Sequence, residues 1–412
     1  MALDTEFSVK SSGITREWSG QIQPALVASF LFLFCLEACL WVRNLRQKRR
    51  LPGPFAWPVV GNAMQLGQMP HITFAKLAKK YGNVYQIRLG VQQHRAAANV
   101  MCALCFGKRY GHDDQEFRCL LMKLDKFGQT VGAGSLVDVM PWLQSFPNPV
   151  RSVYENFKSL NEEFFSFVKN KVSEHRESFD PNVTRDMSDA MINVIEGRKD
   201  STLTKEFVEA TVTDLIGAGQ DTISTVMQWI ILLLVKYPDM QAKLHELVDK
   251  VVGQDRLPTV EDRSSLAYLD AFIYETMRFT SFVPVTIPHS TTSDVTIEGL
   301  HIPKDTVVFI NQWSVNHDPL KWKDPHCFDP SRFLDENGEL NRDLTNGVMI
   351  FSSGKRRCIG NQIAKVEVFL FTAILLHQCS FESNPSDPVT LDCSYGLTLK
   401  PLRCFVNAKP RG

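Results

Sequence analysis

The chain has 412 residues, 44% of them hydrophobic, which is enough to bury a large core as one big domain or two ordinary ones. Its 45 basic residues balance 45 acidic ones, so no excess charge points toward nucleic acid. The ten cysteines lack the paired spacing of a secreted disulfide framework, and a reducing compartment suits them best.

Residues 22–42 are apolar apart from polar Gln23, Ser29 and Glu37, about the length a helix needs to cross a bilayer. Arg43, Arg46, Lys48, Arg49 and Arg50 follow at once, whereas residues 1–21 carry slightly more acid than base. Positive charge on the C-terminal side places that side in the cytosol. A cleaved signal peptide would carry its basic residues ahead of the apolar run, and no small-residue cleavage site stands out. We therefore expect a single-pass signal anchor at 22–42, a lumenal stretch at 1–21, and a large cytosolic domain, an arrangement suited to the endoplasmic reticulum membrane.

Residues 43–61 join the basic stop to Leu51-Pro52-Gly53-Pro54, Pro58 and Gly61, which cannot continue a helix and make a stiff hinge or linker. The globular domain is then expected over 62–412. Within it 71–81 predicts a short helix, 84–89 a strand, and 99–106 and 115–127 further helices. Cys102 and Cys105 form a CxxC, but no second pair completes a zinc site, and in their apolar run they read as helix packing. Residues 128–134 make a glycine-rich loop without the Gly-Lys-Ser ending of a phosphate cradle.

After Pro141, Pro147 and Pro149, the stretch 150–175 is amphipathic. Phe157, Leu160, Phe164 and Phe167 recur there at helical spacing, a stripe more often core than ligand wall. Asn182-Val183-Thr184 matches a glycan acceptor that a cytosolic domain would never present to the enzyme. Residues 205–235 are the longest helical candidate, ending before Tyr237-Pro238. Its run 229–235 is too short to span a membrane and points to a helix buried through the centre of a domain. Inside it lies Ala218-Gly219-Gln220-Asp221-Thr222. Thr222 can bond back to its own helix. Alternatively, the nearby glycine loosens the ladder so that the hydroxyl takes a carbonyl or water, with the neighbouring acid forming a proton route to metal-held oxygen.

Leu266, Leu269, Phe272, Ile273 and Met277 mark the next helix, on which Glu275 and Arg278 share a face. A surface pair of that kind contributes little. A second arginine follows in Phe328-Asp329-Pro330-Ser331-Arg332-Phe333. Between them, 295–297 and 306–310 predict a small antiparallel sheet around Gly299 and Pro303-Lys304-Asp305, with His289 leading into it. Residues 389–406 supply the last strands and turns.

The most informative stretch is Phe351-Ser352-Ser353-Gly354-Lys355-Arg356-Arg357-Cys358-Ile359-Gly360, followed by a helix predicted over 359–376. Small residues and Gly354 let the backbone bend beneath a flat object, and Arg356 offers donors suited to a carboxylate. A cysteine at a helix start among basic residues is favoured as a thiolate. Gly360 lets a planar ring press close. Such an arrangement builds an axial ligand for haem iron. The bland alternative is a basic surface loop leading into a core helix with a buried cysteine.

The pattern Phe351-x-x-Gly354-x-Arg356-x-Cys358-x-Gly360 resembles the haem-binding signature of the cytochrome P-450 family. The segment 218–222 is similar to that family's oxygen-activation motif, and Glu275, Arg278 and Arg332 are similar to its ExxR and later arginine motifs. The resemblance covers residue 51 to the C-terminus. Phe106-Gly107-Lys108-Arg109-Tyr110 and Thr286-Ile287-Pro288-His289 look most like family 1, with its 1B and 1C subfamilies nearest.

The resemblance implies a mainly α fold with small β sheets and a haem b whose iron is held by Cys358. Phe351, Gly354 and Gly360 would line the cofactor, with Arg356 and His289 on its propionates. Asp221 and Thr222 would deliver protons, and Glu275, Arg278 and Arg332 would lock the core as a buried triad. Ala218, Phe282, Val285 and Leu397 would wall the substrate pocket. The implied reaction is oxygen insertion from O2 into lipophilic, planar aromatic or steroid molecules, with electrons from NADPH through the NADPH–cytochrome reductase.

One departure is large. The chain falls well short of the family's usual length, and the gap lies near Gly90-Val91, where a predicted strand meets what resembles the end of a much later helix. None of the seven tryptophans has arginine four residues on, so the family's WxxxR propionate clamp is missing. An inert, haem-poor isoform of such an enzyme is therefore the alternative expectation. A haem-thiolate peroxide isomerase is a further one, disfavoured by the intact Asp221-Thr222 pair.

Overall fold

The computed structural model describes residues 90–111, 114–130, 145, 147, 149–197, 204–384, 387–402 and 405–411. The expected anchor at 22–42, hinge at 43–61, helix at 71–81 and strand at 84–89 lie outside them. Helix α1, Gly90–Phe106, begins nine residues before the expected helix at 99–106 and runs unbroken through Gly90-Val91. Gln92, Gln93 and the alanines at 96–98 all favour helix, which accounts for the extension. Helix α2, Gln115–Thr130, runs through Gly128, so the first three residues of the loop expected at 128–134 are helical, and the rest lie outside the described residues. Helix α3, Pro149–Glu177, opens on the proline that suits a first helical position. Helix α4 is Met187–Gly197.

Helix α5, Lys205–Lys236, packs against α1, α2, α3 and α4 and against three helices and two strands that follow. It is the one described helix long and apolar enough to cross a membrane, but 78% of its most apolar window is buried in protein. Its bulk therefore serves the core. A Cβ on Gly219 would lie 3.0 Å from Met101 Sδ, so the glycine lets α1 approach closely.

Helix α6, Pro238–Val252, restarts at once after Tyr237. Helix α7, Ala267–Thr280, ends where Ser281 turns left-handed at φ 40°. One apolar cluster joins the C-terminal half of α5 to α6 and α7 through Ile230, Leu233, Leu244 and Phe272. A second joins its N-terminal half to α1–α4 through Cys102, Phe117, Phe164 and Ile216.

The expected single sheet around Gly299 is two separate ladders. Strand β1, His289–Ser290, pairs with β4, Val307–Val308, and β2, Val295–Ile297, pairs with β3, Leu300–Ile302. Glu298 and Gly299 both have positive φ, at 50° and 81°, which makes a two-residue hairpin turn and closes β2 onto β3. Helix α8, Gln312–Asn316, and helix α9, Arg342–Gly347, lead to a 3₁₀ turn at Gly354–Arg356. Helix α10, Asn361–Gln378, packs on α5, α6 and α7. Strand β5, Cys379–Ser383, pairs with β8, Val406–Pro410, while β6, Cys393–Ser394, pairs with β7, Lys400–Pro401.

Glu367 of α10 is buried with both carboxylate oxygens unpartnered, and burial pushes its carboxyl up from 4.5 to about 8. The unfolded chain releases this proton near 4.5 and the folded chain holds it to about 8, so stability falls as pH rises through that window. Glu367→Gln is expected to raise the melting temperature at pH 8 and to leave it near the parent value below pH 4.5. An equal gain at both pH values would count against a buried neutral acid.

Candidate active site

The loop before α10 owes its shape to backbone. Ser352 and Gly354 are left-handed, at φ 58° and 73°, and Arg357 N donates to Gly354 O at 3.2 Å. Cys358 N donates to Phe351 O at 2.9 Å, which closes the turn and throws the cysteine side chain outward. The expected helix onset at 359 moves to Asn361, because Gly360 is the N-cap, so Cys358 stands two residues ahead of the cap. Its sulfur is exposed and free of any disulfide, which removes the buried-cysteine reading. Cys102 and Cys105 contrast with it: burial pushes each thiol up to about 12, as suits inert helix packing.

Two buried amides missed in the sequence hold this loop. Gln312 Oε1 accepts from Ser352 N at 3.1 Å, while its Nε2 donates to Val283 O. Asn316 Oδ1 accepts from Met349 N at 2.8 Å and its Nδ2 donates to Met349 O at 2.9 Å. Their i, i+4 spacing, which sets both on one face of a short helix, was the available signal.

Behind the loop, Arg278 and Glu275 form a bidentate pair at 2.7 and 2.8 Å with both side chains fully buried. The remaining donors of Arg278 reach the carbonyls of Asn316, Pro325 and Cys327. Arg332 Nε lies 3.1 Å from Glu275 Oε2 but off its N–H direction, so that contact is electrostatic; its other nitrogens bond Lys323 O and Cys327 O. The three residues meet, with Glu275 and Arg278 fully buried and Arg332 partly exposed at the edge.

On α5, Ala218 is exposed and Thr222 half-buried, forming an open stripe. Thr222 Oγ1 donates to Ala218 O at 2.8 Å, a bond back to its own helix. Asp221 points elsewhere: Oδ1 lies 2.6 Å from Lys400 Nζ, and Oδ2 accepts from Thr398 Oγ1 at 3.0 Å. Leu399 N donates to Phe282 O at 2.7 Å, which joins the segment carrying Leu397 to the buried Phe282. Val285 bridges to Asn311. His289 is half-exposed, with Nδ1 2.6 Å from Ile287 O. Among the described residues one other cluster carries metal-type ligands, His175, Asp186 and Asp189, and it is tied up internally by Arg185 and the Lys171 carbonyl.

A family model described as Cytochrome P450, written here P-450, matches residues 93–408. The chain belongs to the cytochrome P-450 family. It is 45% identical over 486 positions to Cytochrome P-450 1B1 of Homo sapiens, covering 90% of each chain. To the 1B1 protein of Rattus norvegicus it is 43% identical over 474 positions, 87% of each. To Cytochrome P-450 1A1 of Opsanus tau it is 45% identical over 322 positions, covering 77% of this chain and 61% of that one. The 486 aligned positions exceed the 412 residues present, so at least 74 positions of the human relative have no counterpart here.

The fold and family expected from the sequence are those found, and members of this P-450 family are haem-thiolate monooxygenases. The residues present fit the haem. One soft, accessible sulfur is offered, and a Cβ on Gly360 would stand 3.9 Å from that sulfur, so glycine keeps its flank clear for a flat ring. Arg356 is exposed and without a partner among the described residues, leaving its donors open to an anionic group.

Truncating Glu275 to Ala strands the Arg278 guanidinium in the core and is expected to lower stability by about 3–5 kcal/mol, read from the urea unfolding midpoint. In the haem-free protein, iodoacetamide is expected to label Cys358 readily and to leave Cys102 and Cys105 unmodified until the chain unfolds.

Proposed function

We propose that the chain is a monooxygenase of the endoplasmic reticulum membrane that inserts one atom of O2 into lipophilic, planar aromatic or steroid molecules, drawing electrons from NADPH through the NADPH–cytochrome reductase. The observation that carries the reading is the exposed Cys358 sulfur on a closed turn with a bare glycine beside it. Similarity to the 1B1 and 1A1 proteins supports it. The apolar run at 22–42 with its basic flank supports the membrane assignment.

When bound, the haem supplies oxygen binding and activation. Cys358 holds its iron, Phe351, Gly354 and Gly360 line the ring, and Arg356 and His289 neutralise its carboxylates. Thr222 exchanges its bond to Ala218 O for one to water and so moves a proton at Oγ1. Ala218, Phe282, Val285 and Leu397 carry no charge and so favour apolar ligands over polar ones.

A second reading, a catalytically inert and haem-poor isoform, is favoured by one observation: at least 74 positions of the human relative are missing, and no WxxxR clamp remains. The reduced, carbon-monoxide difference spectrum of the full chain in membranes separates the two. The red-shifted band of a thiolate-ligated haem, lost in Cys358→Ala, together with NADPH-driven hydroxylation of a planar aromatic when reductase is added, is the expected result. A parent chain that takes up no haem would establish the inert isoform instead.

A further inference from the structure

Asp221 and Thr222 are neighbours in sequence, but adjacent helical residues point about 100° apart, and the two side chains serve different faces of α5. Asp221 heads a polar row along the helix at i, i+4 and i+8. Its Oδ1 meets Lys400 Nζ at 2.6 Å and its Oδ2 accepts from Thr398 Oγ1 at 3.0 Å. One turn on, Thr225 Oγ1 lies 3.3 Å from Thr398 Oγ1. A turn further, Trp229 Nε1 donates to Leu399 O at 2.8 Å. Three successive turns of α5 thus grip three successive residues, 398 to 400. Thr398, Thr225 and Asp221 are buried, so solvent does not compete for these bonds.

The gripped segment is the one that bears Leu397, and on its other side Leu399 N holds Phe282 O. We infer that Asp221 is a positioning residue: it clips residues 398–400 onto α5, and so sets where Leu397 and Phe282 stand beside the Ala218–Thr222 stripe and which edge of a lipophilic substrate is presented there. Both carboxylate oxygens are occupied. Lys400, whose side chain is two-thirds covered, meets its carboxylate partner in Asp221. This inference rests on the monooxygenase reading for its consequence, but the clip itself is a property of the folded chain.

The test uses the full chain with Asp221→Asn, Lys400→Met, both together, and the swapped pair Asp221→Lys with Lys400→Asp. Hydrogen exchange of peptides covering 395–402 is read first. Each single variant is expected to speed exchange there by about tenfold, the double variant no more than either, and the swap to recover part of the protection. Exchange unchanged in both single variants overturns the clip. With an asymmetric polycyclic aromatic as substrate, Asp221→Asn and Lys400→Met are expected to shift KM and the site of oxidation alike. A lowered kcat and a raised solvent isotope effect in Asp221→Asn, with Lys400→Met matching the parent, would overturn positioning in favour of a proton relay. A parent that binds no haem defeats the monooxygenase reading, and the exchange data still decide the clip.

Discussion

The whole centre leans on a guanidinium that has no water to fall back on. Arg278 is fully buried, and it is held there by Glu275, three backbone carbonyls and the face of the Trp322 ring. One of those carbonyls belongs to Asn316, whose side chain in turn holds both backbone groups of Met349. Met349 stands two residues before Phe351, and Phe351 O anchors Cys358 N. The ion pair therefore reaches the exposed sulfur through hydrogen bonds joined by a short stretch of backbone between Met349 and Phe351. Its contribution is one of placement, since a hydrophobic replacement of similar volume could match its energy without supplying the directions.

Helix α5 is the second constraint, and it divides labour by face. Its apolar residues tie two hydrophobic clusters together. One stripe, with Ala218 and Thr222, stays open. Another, with Asp221, Thr225 and Trp229, is committed to the C-terminal segment. A helix of 32 residues can hold all three because 3.6 residues per turn rotates neighbours onto different sides. The Gly219 gap, which admits Met101, shows that the same few residues also set how closely α1 may lie.

The thiol loop, the triad and the α5 stripe are all present although at least 74 positions of the human relative have no counterpart. Helix α1 runs through Gly90-Val91 without interruption, and the matched family region begins at residue 93. The thiol, the triad and the α5 stripe all lie downstream of that point. The sequence holds no WxxxR, so the cofactor's carboxylates would fall to Arg356 and His289.

Much of this was legible in the residues alone. The long helices follow from apolar spacing, the cysteine turn from its glycines, and the family from three motifs in order, because each depends on neighbours within a few turns. What the chain order could not tell was partnership across distance. Asp221 reads as Thr222's companion, yet it bonds Lys400, 179 residues away, because helical rotation outweighs adjacency. Two ladders replaced the expected single sheet, since pairing is chosen by turn geometry at Glu298 and Gly299 rather than by strand propensity. Gln312 and Asn316 look like ordinary polar residues until burial makes every one of their hydrogen bonds obligatory. Local chemistry is written in the sequence; which groups must satisfy one another away from water is decided only when the chain closes on itself.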